Sequence, residues 1–167
     1  DLAPDFAKAG VQYVPDEVLL QDPREGCWEI QVQTGEAQVS LLIKEISENQ
    51  LHLMVERLAA PTDDQAMAVH LPLLPYLKDP VFLSDGSELV LSREIWKRDE
   101  VTSFRHHGYQ LASSDPFSVT WPAHAHNPYT PDGSAGIGEA RLVVGLNLRK
   151  VASYHLTLSV GEAVGEI

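Results

Sequence analysis

A chain of 167 residues, 44% apolar and 22% charged, has the composition and length of one folded domain. By surface scaling it can bury about two-thirds of its unfolded area without metal or disulfide staples, and its composition excludes a disordered chain, a coiled coil, a disulfide scaffold and any membrane-spanning run of ~18 apolar residues. Twenty-four acidic against 12 basic residues leave a net charge of −12, which repels phosphate, so nucleic acid and anionic membrane are not expected as partners and basic protein surfaces are favoured.

Residues 1–26 carry Pro4, Gly10, Pro15, Pro23 and Gly26, with a helix-compatible stretch only around Phe6–Gly10, and read as an extended N-terminal arm. Residues 27–167 read as a single β-rich domain. There the hydrophobic period becomes two: Trp28, Ile30 and Val32 alternate with Glu29, Gln31 and Gln33. Thr34-Gly35-Glu36 turns the chain, and Val39, Leu41 and Ile43 alternate with Gln38, Ser40 and Lys44. Glu48-Asn49-Gln50 turns it again into Leu51, Leu53 and Val55, so three strands form an antiparallel meander.

Thr62 with Gln65 three residues later matches a helix-capping pattern, which predicts a short helix ended by Pro72. Pro72 and Pro75 also have the spacing of a PxxP ligand, although the leucines of Leu71–Leu77 suit the edge of a core. Asp85-Gly86 marks a turn, and Ser87–Trp96 reads as a strand with Leu89 and Leu91 inward. Residues 99–112 are ambiguous between strand and loop. Near the C-terminus, Leu142, Val144, Leu146 and Leu148 share one face of a strand, as do Tyr154, Leu156, Leu158 and Val160; a hairpin through Lys150 to Ala152 is expected to pair them. Each apolar sheet face needs a covering layer, so the predicted fold is mainly β: an antiparallel β-sandwich or jelly-roll-like barrel with one or two short helices. A helix-covered sheet (α+β) is the alternative.

One segment, from Ser113 to Gly136, resists assignment. Phe117, Val119 and Trp121 suit a brief strand, but Pro122, Pro128 and Pro131 then remove three backbone donors. Long loops of this kind are usually functional or mobile. Trp121, His124, His126 and Tyr129 on a proline-stiffened loop would form a contact surface, the alternative being a loop folded back with its aromatics buried.

Candidate chemistry is sparse. His124-x-His126 could face one ion from a strand, with His106 or His107 as a third ligand and Asp115 or Asp132 as a carboxylate. The following Asn127-Pro128-Tyr129 departs from a cupin-type site, and His155 lies on the polar face of its strand, so ordinary surface histidines are expected and no metal or cofactor is assigned. Asp132-Gly133-Ser134-Ala135-Gly136 lacks the first glycine and the strand–turn–helix setting of a nucleophile elbow. Cys27 stands alone, which excludes an intrachain disulfide and leans towards a reducing, cytoplasmic setting; without basic neighbours it is not an activated thiol. Asp63-Asp64 suits a helix start and Asp99-Glu100 a turn. Arg93, Lys97 and Arg98 around Trp96 suit a salt-bridged strand end.

No set of residues reaches the specificity that an enzyme assignment needs. The expected function is a non-catalytic protein-interaction or assembly module, an adaptor or subunit binding a protein partner or another copy of itself. Docking would use the 113–137 loop, the N-terminal arm or an acidic face. The alternatives are a metal-dependent enzyme or jelly roll using the histidines, and a small-ligand or glycan-binding sandwich with Trp121 and Tyr129 as stacking platforms.

Overall fold

The computed structural model describes residues 16–20, 25–62, 67–123 and 136–161. These form eleven strands: β1 (Glu17–Leu20), β2 (Cys27–Thr34), β3 (Ala37–Ser47), β4 (Gln50–Ala59), β5 (Ala68–Leu73), β6 (Val81–Leu83), β7 (Glu88–Leu89), β8 (Trp96–His106), β9 (Tyr109–Ala123), β10 (Arg141–Asn147) and β11 (Ser153–Val160). All pairings are antiparallel. The main path runs β1-β2-β3-β4-β11-β9-β8-β6-β7, while β10 bridges β9 and β5. The sheet stays open and is not closed into a barrel, a sandwich-like, mainly β fold. A 3-10 turn, Ile137–Glu139, leads into β10.

The predicted alternation sets the register of the meander. Trp28 lies opposite Ile43, Ile30 opposite Leu41 and Val32 opposite Val39, and β4 continues the face with Leu53 opposite Ile43 and Val55 opposite Leu41. Leu156 and Tyr154 of β11 extend it, followed by Leu111 of β9 and Phe104 of β8. Directly opposed residues project from the same side of a sheet, so one apolar face runs across these strands. The ambiguous residues 99–112 belong mostly to the β8–β9 hairpin. Its turn is His107-Gly108, with φ of 41° and 77°; two successive positive values are what a two-residue hairpin requires.

The expected pairing of the last two strands is corrected. β10 and β11 do not form a hairpin: each pairs with a different half of β9. Gly145 faces Ser118 and Val144 faces Val119, whereas Leu156 faces Ser113 and Val160 faces Tyr109. Both run antiparallel to β9, hence in the same direction along one of its edges. β9 can serve both because it bends between Ser113 and Phe117. Across from it, Val101 opposes Phe117 but Ser103 already opposes Ala112, so several β9 residues leave the ladder there. Pro116 falls in this break, where its missing N–H costs no ladder bond, and Tyr154 donates its hydroxyl to the Pro116 carbonyl at 3.1 Å. The bent β8–β9 hairpin thus contributes to two layers, one containing β1–β4 and β11, the other β10 and β5.

One core unites the layers. Phe104, Leu111, Val55, Tyr154 and Leu156 join Phe117, Val119, Trp121, Leu142, Val144 and Leu146 in a single buried cluster. Leu146 and Leu156 are both fully buried, which is what sheets meeting through their apolar sides demand.

Three further expectations change. The irregular segment assigned to 113–136 is strand as far as Ala123, part of the longest strand among the described residues. The short helix expected up to Pro72 does not reach residues 67–73; Ala68–Leu73 is an edge strand, where Pro72 is tolerated because an edge residue has no partner on one side. Residues 63–66, including Asp63-Asp64, lie outside the described residues. The strand expected over Ser87–Trp96 shrinks to Glu88–Leu89, because Val90 and Ser92 turn their carbonyls to the indoles of Trp96 and Trp121. Leu91 nevertheless remains buried.

Candidate functional site

Of the four residues expected to carry a contact surface, Trp121 lies among the described residues. Trp121 is fully buried, and its Nε1 donates to the Ser92 carbonyl at 2.7 Å. Its exposure on a docking loop is therefore corrected: the strand alternation that places Phe117 and Val119 inward places Trp121 inward too. His124, His126, Tyr129, Asp132 and the Asp132–Gly136 turn residues up to Ala135 lie outside the described residues, as does Phe6–Gly10.

Of the other proposed ligands, His106 is fully buried and both its ring nitrogens are engaged. Nδ1 lies 3.1 Å from the Pro80 carbonyl, and Nε2 accepts the Tyr76 backbone N–H at 2.9 Å. A carbonyl only accepts, so Nδ1 carries the proton and the ring is neutral. Burial is the main cause that holds its pKa below the ordinary histidine value. His106 thus anchors the 76–80 segment to the end of β8 and has no lone pair left for a metal. Beside it, His107 Nδ1 meets Asp79 Oδ2 at 2.6 Å and its ring stacks on Tyr76 at 4.0 Å. His155 is exposed and stacks on His52 at 5.5 Å. Among the described residues, no three His, Cys, Asp or Glu side chains converge in a metal-binding arrangement.

Two surface features emerge instead. The first is a groove of about 820 Å³ on the outer face of β5, β10, β9 and β8. Its floor is a row in which Gly145 separates His70 of β5 from Ser118 of β9. A Cβ there would come within 2.5 Å of Ser118 Oγ, so a larger residue would force that hydroxyl out of the hydrogen bond it donates to the Gly145 carbonyl at 3.3 Å. Burial lowers the His70 pKa, so its imidazole is neutral near pH 7. On the rim, Lys97 pairs with Asp99 at 3.0 Å and Lys150 with Glu100 at 3.6 Å. Glu100 sits in a bulge of β8 with a left-handed φ of 61°.

The second feature is the outer part of the apolar face. Val39 and Leu41 of β3 still pack against the core cluster. Beyond them the same face continues through Val32, Ile30 and Trp28 of β2 and Val18 and Leu20 of β1, because Val18 lies opposite Val32 and Leu20 opposite Ile30. These side chains lie outside the core cluster, and Val18, Leu20 and Trp28 are 55%, 63% and 38% exposed. The opposite face of β2 and β3 carries Glu29, Gln31, Gln33 and Gln38, with Leu42 and the buried Ser40 beside them, Ser40 donating its hydroxyl to Glu29 at 3.2 Å. The sequence already showed this pattern but not that its apolar side would be left uncovered. Monomers rarely leave contiguous apolar surface of this kind without a use for it.

No helix among the described residues is long and apolar enough to cross a membrane. Compared with known proteins, the chain matches no family model, no curated protein and no solved structure.

Proposed function

We propose that the protein is a non-catalytic interaction module that docks a protein partner through the exposed apolar face of β1 and β2, within and beside the expected N-terminal arm. The observation that carries this reading is the continuation of the core-forming face past Val39 and Leu41 onto Trp28, Ile30, Val18 and Leu20, where it meets no second layer among the described residues. Sheet faces of this composition are stable when another layer lies about 10 Å above them, and a partner would supply that layer. Burying the exposed parts of these side chains at ~25 cal/mol per Å² yields several kcal/mol from a few hundred Å², the scale of a useful hot spot.

The test is a complex reconstituted from the purified chain and a partner identified by co-purification from the native cell. Amide exchange should slow in β1–β3 on binding, and Trp28→Asp should abolish the complex while leaving the free chain folded, with only a small drop in its melting temperature. A chain that stays a lone monomer, or protection confined to β5 and β10, would overturn the reading.

The groove favours a second reading, a small uncharged ligand held against His70 and Ser118, since its size suits such a ligand and its rim charges pair with each other. Trp121 cannot serve as the stacking platform of that reading, being buried. A metabolite and oligosaccharide thermal-shift screen tests it: a stabilising hit should disappear in Ser118→Val, and an empty screen would remove this reading.

A further inference from the structure

We infer that the partner at this face is an extended, basic segment of another protein that joins the sheet as an additional strand along β1. This rests on the docking reading above and specifies the chemistry of the occupant.

The edge itself is the first observation. Among the described residues β1 pairs with β2 alone, so alternate backbone N–H and C=O groups of Glu17–Leu20 point away from that sheet. The other sheet edges among the described residues carry the usual defences against strand addition. β5 contains Pro72, β7 is two residues long, and the outer half of β8 reads Lys97-Arg98-Asp99-Glu100. β1 reads Glu-Val-Leu-Leu, with no proline, glycine or lysine, and its apolar side chains are exposed on both sides: Val18 and Leu20 on the core-facing side, Leu19 on the other. An added strand would complete its ladder and lay its own apolar residues beside Val18 and Leu20, the mode by which extended peptides augment sheets.

Charge selects the occupant. Residues 16–62 hold nine acidic and three basic side chains, a net −6. One of the three, Arg57, donates to the Leu148 carbonyl at 2.8 Å and is turned towards the body of the domain. Glu17 stands on the edge strand, and Asp16, just before it, already accepts the Gly35 N–H. A second copy would bring another −12 chain against this region. A strand alternating apolar residues with Lys or Arg instead places its apolar side beside Val18 and Leu20 and its cations beside Glu17, a favourable cross-strand arrangement. At ~3.3 Å per residue, the four residues of β1 offer a ladder for a segment of about four residues.

The experiment displays random ten-residue segments and pans them on the full chain, with Leu20→Lys as counter-selection. The most enriched segment is then synthesised with a version in which every Lys and Arg is Glu. The expected result is enrichment of alternating, net-basic segments whose affinity falls about tenfold or more from 50 to 300 mM salt. The acidic version should not bind, and β1 amides should exchange at least tenfold more slowly in the complex. Enrichment of neutral or acidic segments, protection away from β1, or no enrichment overturns the inference. So does concentration-dependent dimerisation that Leu20→Lys abolishes, which would make a second copy the occupant. In those cases the docking reading is judged separately: it survives if Trp28→Asp still abolishes the reconstituted complex and falls with it otherwise.

Discussion

Acidification should weaken this fold through His106. Its imidazole is fully buried with Nδ1–H directed at the Pro80 carbonyl and Nε2 accepting the Tyr76 N–H. A proton added to Nε2 would point at that N–H, so the bond is lost and a charge is buried. The folded-state pKa is accordingly depressed, which fixes the sign. The unfolded chain binds the proton more readily near pH 6.5, so the stabilisation is complete above that value and is lost as pH falls below it. For one such group the loss from pH 7.5 to 5.5 is at most about 1.4 kcal/mol. His70, whose pKa is lowered by burial, acts in the same direction, so the wild-type slope alone cannot identify His106. His106→Leu isolates it. At pH 7.5 the variant leaves the Pro80 carbonyl and the Tyr76 N–H unpaired, a cost of about 2–4 kcal/mol for the two. At pH 5.5 the gap between wild type and variant should narrow by up to about 1.4 kcal/mol, because only the wild type suffers from the proton at this position. Urea denaturation at both pH values, in matched ionic strength, measures this. A gap that stays constant or widens on acidification would refute the neutral, doubly bonded histidine, as would a variant as stable as wild type at pH 7.5.

Other perturbations probe the rest of the molecule. Trp121→Ala should cost about 3–5 kcal/mol in chemical denaturation, since it empties a fully buried site and orphans the Ser92 carbonyl, whereas Trp28→Ala should cost under about 1 kcal/mol in the free protein; equal costs would contradict the contrast in their burial. Gly145→Ala should destabilise by about 1–3 kcal/mol, and adding Ser118→Gly should restore part of that loss, a coupling that a double-mutant cycle reads directly. Tyr109 places its hydroxyl in the interior without a hydrogen-bond partner among the described residues, and burial pushes its pKa up to about 12, so Tyr109→Phe should be neutral or stabilising by about 1 kcal/mol; clear destabilisation would mean that the hydroxyl has a partner. Glu100→Gly should raise the melting temperature, relieving a left-handed φ at an exposed position where the Lys150 pair contributes little.

The two-residue period was legible wherever it was regular. Trp28 to Val32, Val39 to Ile43 and Leu51 to Val55 align in the register that their alternation implies, and the turn at Asp85-Gly86 joins β6 to β7. The segment around Asp115-Pro116 was harder, because a strand that bends out of its ladder carries the proline and irregular alternation of a loop. The candidate site was largely illegible. Trp121, chosen for its type and its proline-rich neighbourhood, is a core residue, while Trp28, read only as one position of a strand, faces outward. His106 carried no local signal of its role, since its partners Tyr76 and Pro80 lie 30 and 26 residues away in the chain.

Local sequence determined the class of fold, because side-chain alternation and turn chemistry depend on neighbours in the chain. It grouped Leu142, Val144 and Leu146 on one face, and Tyr154, Leu156 and Leu158 on another. Only the tertiary structure decided that both groups line opposite halves of β9 instead of pairing with each other, that they join Phe104 in one buried core, and that the core ends at β3. Period two says which side chains look the same way; what they look at is set by long-range packing, and at β1 and β2 they look outward.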